Sequence, residues 1–236
     1  MDIRILVINP VATEIWNQLT YEFLKPYADK ETEIVVRNIK YGPPAIECFY
    51  DKVTAAPYVI KEVDKAQEEG YNSIIINCFD DPGLEASREI SSIPVLGIGE
   101  TSITFALMLA YKIGIVSTGI EAKLAYYKKA QALGIRERVA YATGIDIEVL
   151  SLRKDLDKVK KLLLEEIKKA KNEGAGAVVL GCGGFIGLYK ELTEASGIPI
   201  IDPTLATFKI AESIARMGLS HSSLYLFNRI KHPYNI

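Results

Sequence analysis

Histidine is nearly missing from this 236-residue chain: only His221 and His232 occur, both near the C-terminus. Imidazole metal sites and serine–histidine pairs therefore have little raw material, and no metal is expected. Cysteine is scarce too, at three, an odd count that makes a poor disulfide framework, so each thiol needs its own explanation. Long apolar runs are absent. The stretch at 103–111 falls well short of the roughly 20 residues that cross a bilayer, so no membrane partner is expected. A basic stripe is also absent: the net charge is -2, with both signs intermingled, which argues against nucleic acid as a partner. Residues 2–8 enter a strand-like run without the basic, apolar and small-residue pattern of a secretory leader, and a cytoplasmic location is expected.

What the chain does have is enough apolar residue, 49%, to bury one large core or two small ones, and one internal repeat. EEGYNSIIINCFDDPGL at 68–84 aligns with NEGAGAVVLGCGGFIGL at 172–188 almost without gaps. Each copy carries an acidic residue and a glycine that close a helix, a strand of β-branched and aliphatic residues, a cysteine, and a glycine-bearing turn. The match continues downstream, where Ile93-Pro94-Val95-Leu96 answers Ile198-Pro199-Ile200-Ile201. Upstream, the strand at 4–8 with Asn9-Pro10 answers that at 112–116 with Ser117-Thr118-Gly119. Each half reads as the same βαβαβα unit.

Continuous apolar strands alternating with helices imply parallel sheets covered on both faces. The expected fold is α/β, with two pseudo-symmetric lobes, each a parallel sheet flanked by helices, and the active site in the cleft between them. Lobe 1 is assigned to 1–97 plus 207–236 and lobe 2 to 98–206. Helices are expected near 12–26, 51–69, 83–90, 101–111, 120–133, 155–173, 185–195 and 204–217, the last returning to pack on the first lobe.

In such sheets ligands bind beyond the carboxyl ends of the strands, which is where Cys78 and Cys182 stand. A free cysteine is often only a small buried hydrophobe, and Cys48, with no counterpart in the repeat, is read that way. The other two kept the same atom at the same turn while their surroundings changed. If a pseudo-twofold axis relates the halves, the thiols face each other. One thiolate could then take a proton from a carbon while the opposing thiol delivers another, the roles reversing for the other enantiomer. The backbone N–H groups of Phe79, Gly183 and Gly184 are natural donors to a carbonyl oxygen that becomes enolate-like.

Asp80 and Asp81, before Pro82-Gly83, are read as helix-capping residues, Asp81 in particular, and Glu100 and Asp202 as strand-end caps. GCGGFIG at 181–187 invites comparison with a dinucleotide fingerprint, but its third glycine comes one position late and the first copy carries Asp80, Asp81 and Pro82 instead. Nucleotide binding is set aside.

Ile8-Asn9-Pro10, Gly42-Pro43 with Ile46-Glu47, CFDDPGL at 78–84, GIGE at 97–100 and LGCGG at 180–184 together resemble the cofactor-independent aspartate/glutamate/hydantoin racemase superfamily, most closely its hydantoin racemase branch. The resemblance implies a two-lobed fold and racemisation without metal, pyridoxal or other cofactor, with Cys78 and Cys182 as the catalytic pair. It also implies that Asn9, Phe79, Thr118, Gly183 and Gly184 line the pocket, and that the chain assembles as a homo-oligomer. Phe79 and Gly183-Gly184 stand where amino-acid racemases usually place residues for free amino-acid charges, which suits a neutral, ring-shaped small-molecule substrate. Val11-Ala12-Thr13 and Cys48-Phe49 depart from the branch's usual Asn-Thr-Ser and Gly-His. The competing readings are an aspartate, glutamate or broad amino-acid racemase, an isomerase of related dicarboxylates, a decarboxylase, which would typically keep only one of the cysteines, and a two-lobed ligand sensor without chemistry.

Overall fold

The computed structural model describes residues 2–119, 122–222 and 224, which divide into two compact units, 1–98 with 207–236 and 99–206. His232 and the first residues of the helix expected at 120–133 lie outside the described residues.

The first unit runs β1 (Ile3–Asn9), α1 (Asn17–Leu24), β2 (Thr32–Asn38), α2 (Phe49–Ala66), β3 (Ser73–Ile76), α3 (Leu84–Ile90) and β4 (Val95–Gly97). Helix α4 (Ile98–Ala106) then leads into the second unit: β5 (Ile113–Thr118), α5 (Ala122–Ala132), β6 (Val139–Ile145), α6 (Leu156–Asn172), β7 (Ala177–Leu180), α7 (Tyr189–Ser196) and β8 (Ile200–Ile201). Helix α8 (Pro203–Arg216) has most of its length in the first unit.

Each unit holds a four-stranded, wholly parallel sheet, ordered β2-β1-β3-β4 in one and β6-β5-β7-β8 in the other. The central strands are buried along nearly their whole length, as a sheet covered on both faces demands. A single shift of 104 residues carries Ala55, Val59, Val63 and Ala66, the buried stripe of α2, onto Val159, Leu163, Ile167 and Ala170 of α6. These positions recur at the spacing of one helical face and pack under β1–β3 and β5–β7 respectively. The same shift carries Cys78 onto Cys182.

Three features depart from the sequence reading. Each half has four strands rather than three, because β2 and β6 flank the central strand at the sheet edge. β2 is mostly half-buried and carries Glu33 and Arg37, and β6 is half-buried at Ala140, Tyr141 and Thr143, so the continuous apolar signal of the inner strands is missing. The helix expected at 12–26 is cut to Asn17–Leu24 and a 3-10 turn at Lys25–Tyr27. Residues 11–16 are drawn into a loop, with the Ala12 N–H donating to Pro43 O at 2.8 Å. The helix expected at 185–195 is split into a 3-10 turn at Gly183–Phe185 and α7, since the Gly187 N–H leaves the helical path to donate to Asp202 Oδ2 at 2.9 Å.

The C-terminal helix is fastened to the first unit through Asp29. Lys209 Nζ and Arg216 Nε each lie 3.1 Å from an Asp29 carboxylate oxygen, and the buried Glu212 accepts from the Asp29 N–H at 3.0 Å. Beyond it, His221 Nε2 lies 2.8 Å from the Val95 N–H, occupying an edge that β4 would otherwise leave open.

Candidate active site

The two cysteines hold equivalent places in their sheets. The Asn77 N–H donates to Ile8 O at 2.8 Å and the Gly181 N–H to Val116 O at 2.7 Å, so each extends the ladder to the central strand by one residue before the cysteine. Each chain then turns: the Asp81 N–H donates to Cys78 O at 3.0 Å, and the Phe185 N–H to Cys182 O at 3.2 Å. Cys78 and Cys182 are half-buried, whereas Cys48, the residue before α2, is exposed rather than a core hydrophobe.

Around Cys182 the turn aims a donor at the sulfur, with Gly184 N 3.3 Å from Cys182 Sγ. An N–H in that position favours the thiolate over the thiol. Gly183 is half-buried in the same 3-10 turn. Phe79 is buried, at 2% exposure.

Asn9, at the end of β1, belongs to a directional chain of side-chain amides. Asn77 Nδ2 donates to Asn9 Oδ1 at 2.7 Å, Asn9 Nδ2 to Asn17 Oδ1 at 2.9 Å, Asn17 Nδ2 to Asn38 Oδ1 at 2.9 Å, and Asn38 Nδ2 to Ile39 O at 2.9 Å. The chain crosses the carboxyl ends of β3, β1 and β2 and fixes Asn77, the neighbour of Cys78. Linked amides polarise one another, and each removal leaves a neighbour short of a partner.

The second unit solves the same problem with hydroxyls. Register places Ser117 where Asn9 stands, because Ile8 pairs with Ile76 as Val116 pairs with Leu180. Ser117 Oγ donates to Gly181 O and lies 2.7 Å from Tyr126 OH, which donates to the same carbonyl at 3.2 Å. A Cβ on Gly181 would lie 2.6 Å from Ser117 Cβ, so only glycine lets the two strands approach this closely. Thr118 comes one residue later, half-buried, and pairs with Ile145 of β6. Asn77, Ser117 and Tyr126 escaped sequence reasoning; their one legible signal is that Asn77 and Gly181 each immediately precede a repeated cysteine.

Asp202 meets the capping expectation, and Asp81 sits differently. The N-cap position of α3 is Gly83 rather than Asp81, and the Leu84 N–H donates to Asp81 O at 3.3 Å. The Asp81 side chain is buried at 3% exposure against Gly97, where any Cβ would collide with the carboxylate. Asp202 does cap: its Oδ1 accepts from the Leu205 N–H of α8 at 3.0 Å, and its Oδ2 from the Gly187 N–H. Burial pushes the Asp202 carboxyl up to about 6, against the opposing pull of the N–H groups of Gly187, Leu205 and Thr204 and of Arg153. Burial lowers Arg153 in turn, and the Asp202 charge works against that. Glu100 lies in the first turn of α4 rather than at a strand end.

Among the described residues, no group of three or more His, Cys, Asp and Glu side chains is arranged to hold a metal ion, and no helix is long and apolar enough to cross a membrane.

Paired parallel α/β units, each ending an inner strand in a half-buried thiol, define a class of two-thiol α/β proteins, and comparison with known proteins narrows it. The Asp/Glu/Hydantoin racemase family model matches residues 5–211. The hydantoin racemase of Pseudomonas sp. (strain NS671) is 34% identical over 98% of this chain and 92% of its own, and that of Rhizobium meliloti 31% identical over 97% and 96%. The solved structure of allantoin racemase from Klebsiella pneumoniae superposes with a TM-score of 0.93 at 30% identity, covering 100% of this chain and 96% of that one. The chain belongs to the Asp/Glu/hydantoin racemase family, and is thereby an isomerase.

Proposed function

We propose that this protein racemises 5-substituted hydantoins, taking the proton from C5 with one of Cys78 and Cys182 and returning one to the opposite face from the other. The observation that carries the reading is the duplicated half-site: two half-buried thiols at the same step of two repeated sheets, each following a residue tied to the central strand. Inversion at carbon needs a base and an acid on opposite faces, and two copies of one acid–base group supply both.

The C5 hydrogen of a hydantoin is flanked by a ring carbonyl, so the carbanion left behind is enolate-like, and the substrate carries no ammonium or carboxylate. Cys78 is followed by Phe79 and Cys182 by Gly183-Gly184, without a charged side chain at the next position. The relatives named hydantoin racemase and the neighbour named allantoin racemase fit one substrate class, since allantoin is a hydantoin with a ureido group at C5. At any moment one thiol is ionised and the other protonated. If they act on one carbon, their titration is shared.

The test uses single enantiomers of 5-benzylhydantoin, 5-isobutylhydantoin and allantoin in deuterated buffer without added cofactor, following optical rotation and deuterium at C5 against an enzyme-free blank. Loss of rotation with deuterium uptake is expected. With Cys78→Ser and with Cys182→Ser racemisation should cease, while each variant should still exchange the C5 proton of one enantiomer with retention, and not the same enantiomer. Turnover of free aspartate or glutamate with indifference to hydantoins would replace this substrate class. Racemisation surviving the loss of either thiol would end the two-base mechanism.

A further inference from the structure

The repeat places Gly97 opposite Asp202, through Ile93-Pro94-Val95-Leu96-Gly97 against Ile198-Pro199-Ile200-Ile201-Asp202, and Asp81 opposite Phe185, each third after its cysteine. In the second unit the carboxylate rises from the end of the last strand and reaches the cysteine's turn, accepting from the Gly187 N–H at 2.9 Å. In the first unit it rises from the cysteine's turn and lies against the end of the last strand, where the residue has shrunk to glycine and a side chain would collide with Asp81. Both carboxylates are buried, each at 3% exposure. One buried carboxylate therefore spans the same gap in both halves, supplied from opposite sides.

We propose that Asp81 and Asp202 are exchanged equivalents, each a positioning residue that ties the turn carrying its cysteine to the carboxyl end of the neighbouring strand. Neither touches the reacting carbon. Three features support the assignment over simple capping. Asp81 is the one non-glycine residue among those described with positive φ, at 52°, a conformation that the chain accepts there at some cost. Asp202 serves two masters, its Oδ1 capping α8 and its Oδ2 holding Gly187, so helix capping uses only half of it. The turn it steadies is the one that aims the Gly184 N–H at Cys182 Sγ.

The inference deepens the racemase reading and rests on it for its kinetic arm alone; the reactivity of the thiols is measured without substrate. In a Cys48→Ser background, iodoacetamide labelling of Cys78 and Cys182 is followed separately by peptide mass spectrometry. Asp202→Asn leaves one acceptor oxygen for the N–H groups of Gly187, Leu205 and Thr204, and should slow labelling of Cys182 by about three- to tenfold while leaving Cys78 unchanged. Removing a nearby negative charge without loosening the turn would do the opposite and speed labelling. Asp81→Gly suits the backbone at φ 52° and removes the carboxylate with its Cβ. It should slow Cys78 alone, and lower kcat by about 10- to 100-fold with KM held within about threefold, as a slightly misplaced base does. Adding Gly97→Asp to Asp81→Gly rebuilds the arrangement of the second unit in the first, and should recover at least about tenfold of the lost kcat together with the Cys78 labelling rate. Unchanged labelling, equal slowing of both cysteines, or no recovery in the double variant overturns the proposal. If the wild type leaves every hydantoin untouched while the site-selective labelling pattern holds, the substrate reading fails and the positioning role stands.

Discussion

Ser117 Oγ and Tyr126 OH, 2.7 Å apart, converge on one backbone carbonyl, Gly181 O, the last acceptor before Cys182. Both side chains are buried, so the carbonyl has no water to fall back on if they are removed. Tyr126→Phe leaves Ser117 in place and should cost about 1 kcal/mol; Ser117→Ala leaves only the longer bond and should cost about 1–2 kcal/mol. The double variant strands the carbonyl, and its cost should exceed the sum of the singles by about 1 kcal/mol. Urea unfolding of the four proteins measures this cycle. Strict additivity would mean that the two hydroxyls do not work on a shared acceptor.

Asn9 offers a sharper contrast. A residue that only touches substrate would, on truncation, raise KM and leave stability alone. Here both ends of the Asn9 amide are committed, to Asn77 and to Asn17. Asn9→Ala should therefore cost about 1–3 kcal/mol in stability, because the buried Asn77 and the half-buried Asn17 each lose a partner, and should lower kcat through Asn77 and Cys78. A variant of wild-type stability with only a raised KM would return Asn9 to the role of pocket lining.

These two networks mark the limit of what sequence conveys. The repeat, the parallel strands and the place of Cys78 and Cys182 are legible because burial on both faces imposes continuous apolar runs, and a duplicated unit preserves spacing. The edge strands Thr32–Asn38 and Val139–Ile145 are not, because the first is half-solvated and tolerates Glu33 and Arg37, and the second interrupts its apolar run with Thr143 and with Gly144, where a Cβ would collide with Gly119 O. Asn9 and Ser117 occupy one structural position yet share no functional group: one works through an amide partner on α1, the other through a phenol on α5. Asp81 and Asp202 escape alignment for a related reason, since the carboxylate has moved to the other side of the gap it fills. Equivalence of position survives in the register of the strands, whereas equivalence of residue type does not.

Glu212 anchors the returning helix. It is buried at 1% exposure and accepts from the Asp29 N–H at 3.0 Å and from Lys209. Glu212→Leu keeps the bulk and the helix propensity but abandons both donors, one of them a backbone N–H. A loss of about 1–3 kcal/mol is expected, read as a lower urea midpoint at unchanged m-value. Activity per folded molecule should be retained, since Glu212 lies in neither cysteine turn. A stability within about 0.5 kcal/mol of wild type would show that the helix is held by apolar packing alone.

Asp202 gives the protein a titration that can be isolated. Its carboxyl, pushed from 3.8 to about 6 chiefly by burial, holds its proton more firmly in the folded state than in the unfolded chain. The folded state therefore binds more protons at this site between those two values, and the site's contribution to stability is full below about pH 4 and lost as the pH rises through about 6. The displacement corresponds to about 3 kcal/mol at most. Carboxylates such as Asp29, lowered by its bond to Lys209, act in the opposite sense, weakening the fold as the pH falls, so the raw stability profile of the wild type mixes both. Subtracting the profile of Asp202→Asn removes the shared part. The stability of the wild type relative to that variant should be greater at pH 4.5 than at pH 7.5, by about 2 kcal/mol, with the change centred between pH 4 and pH 6. A difference that stays flat across that interval would mean that the buried carboxyl titrates as an ordinary aspartate, its bonds to Gly187 and Leu205 offsetting the whole cost of burial.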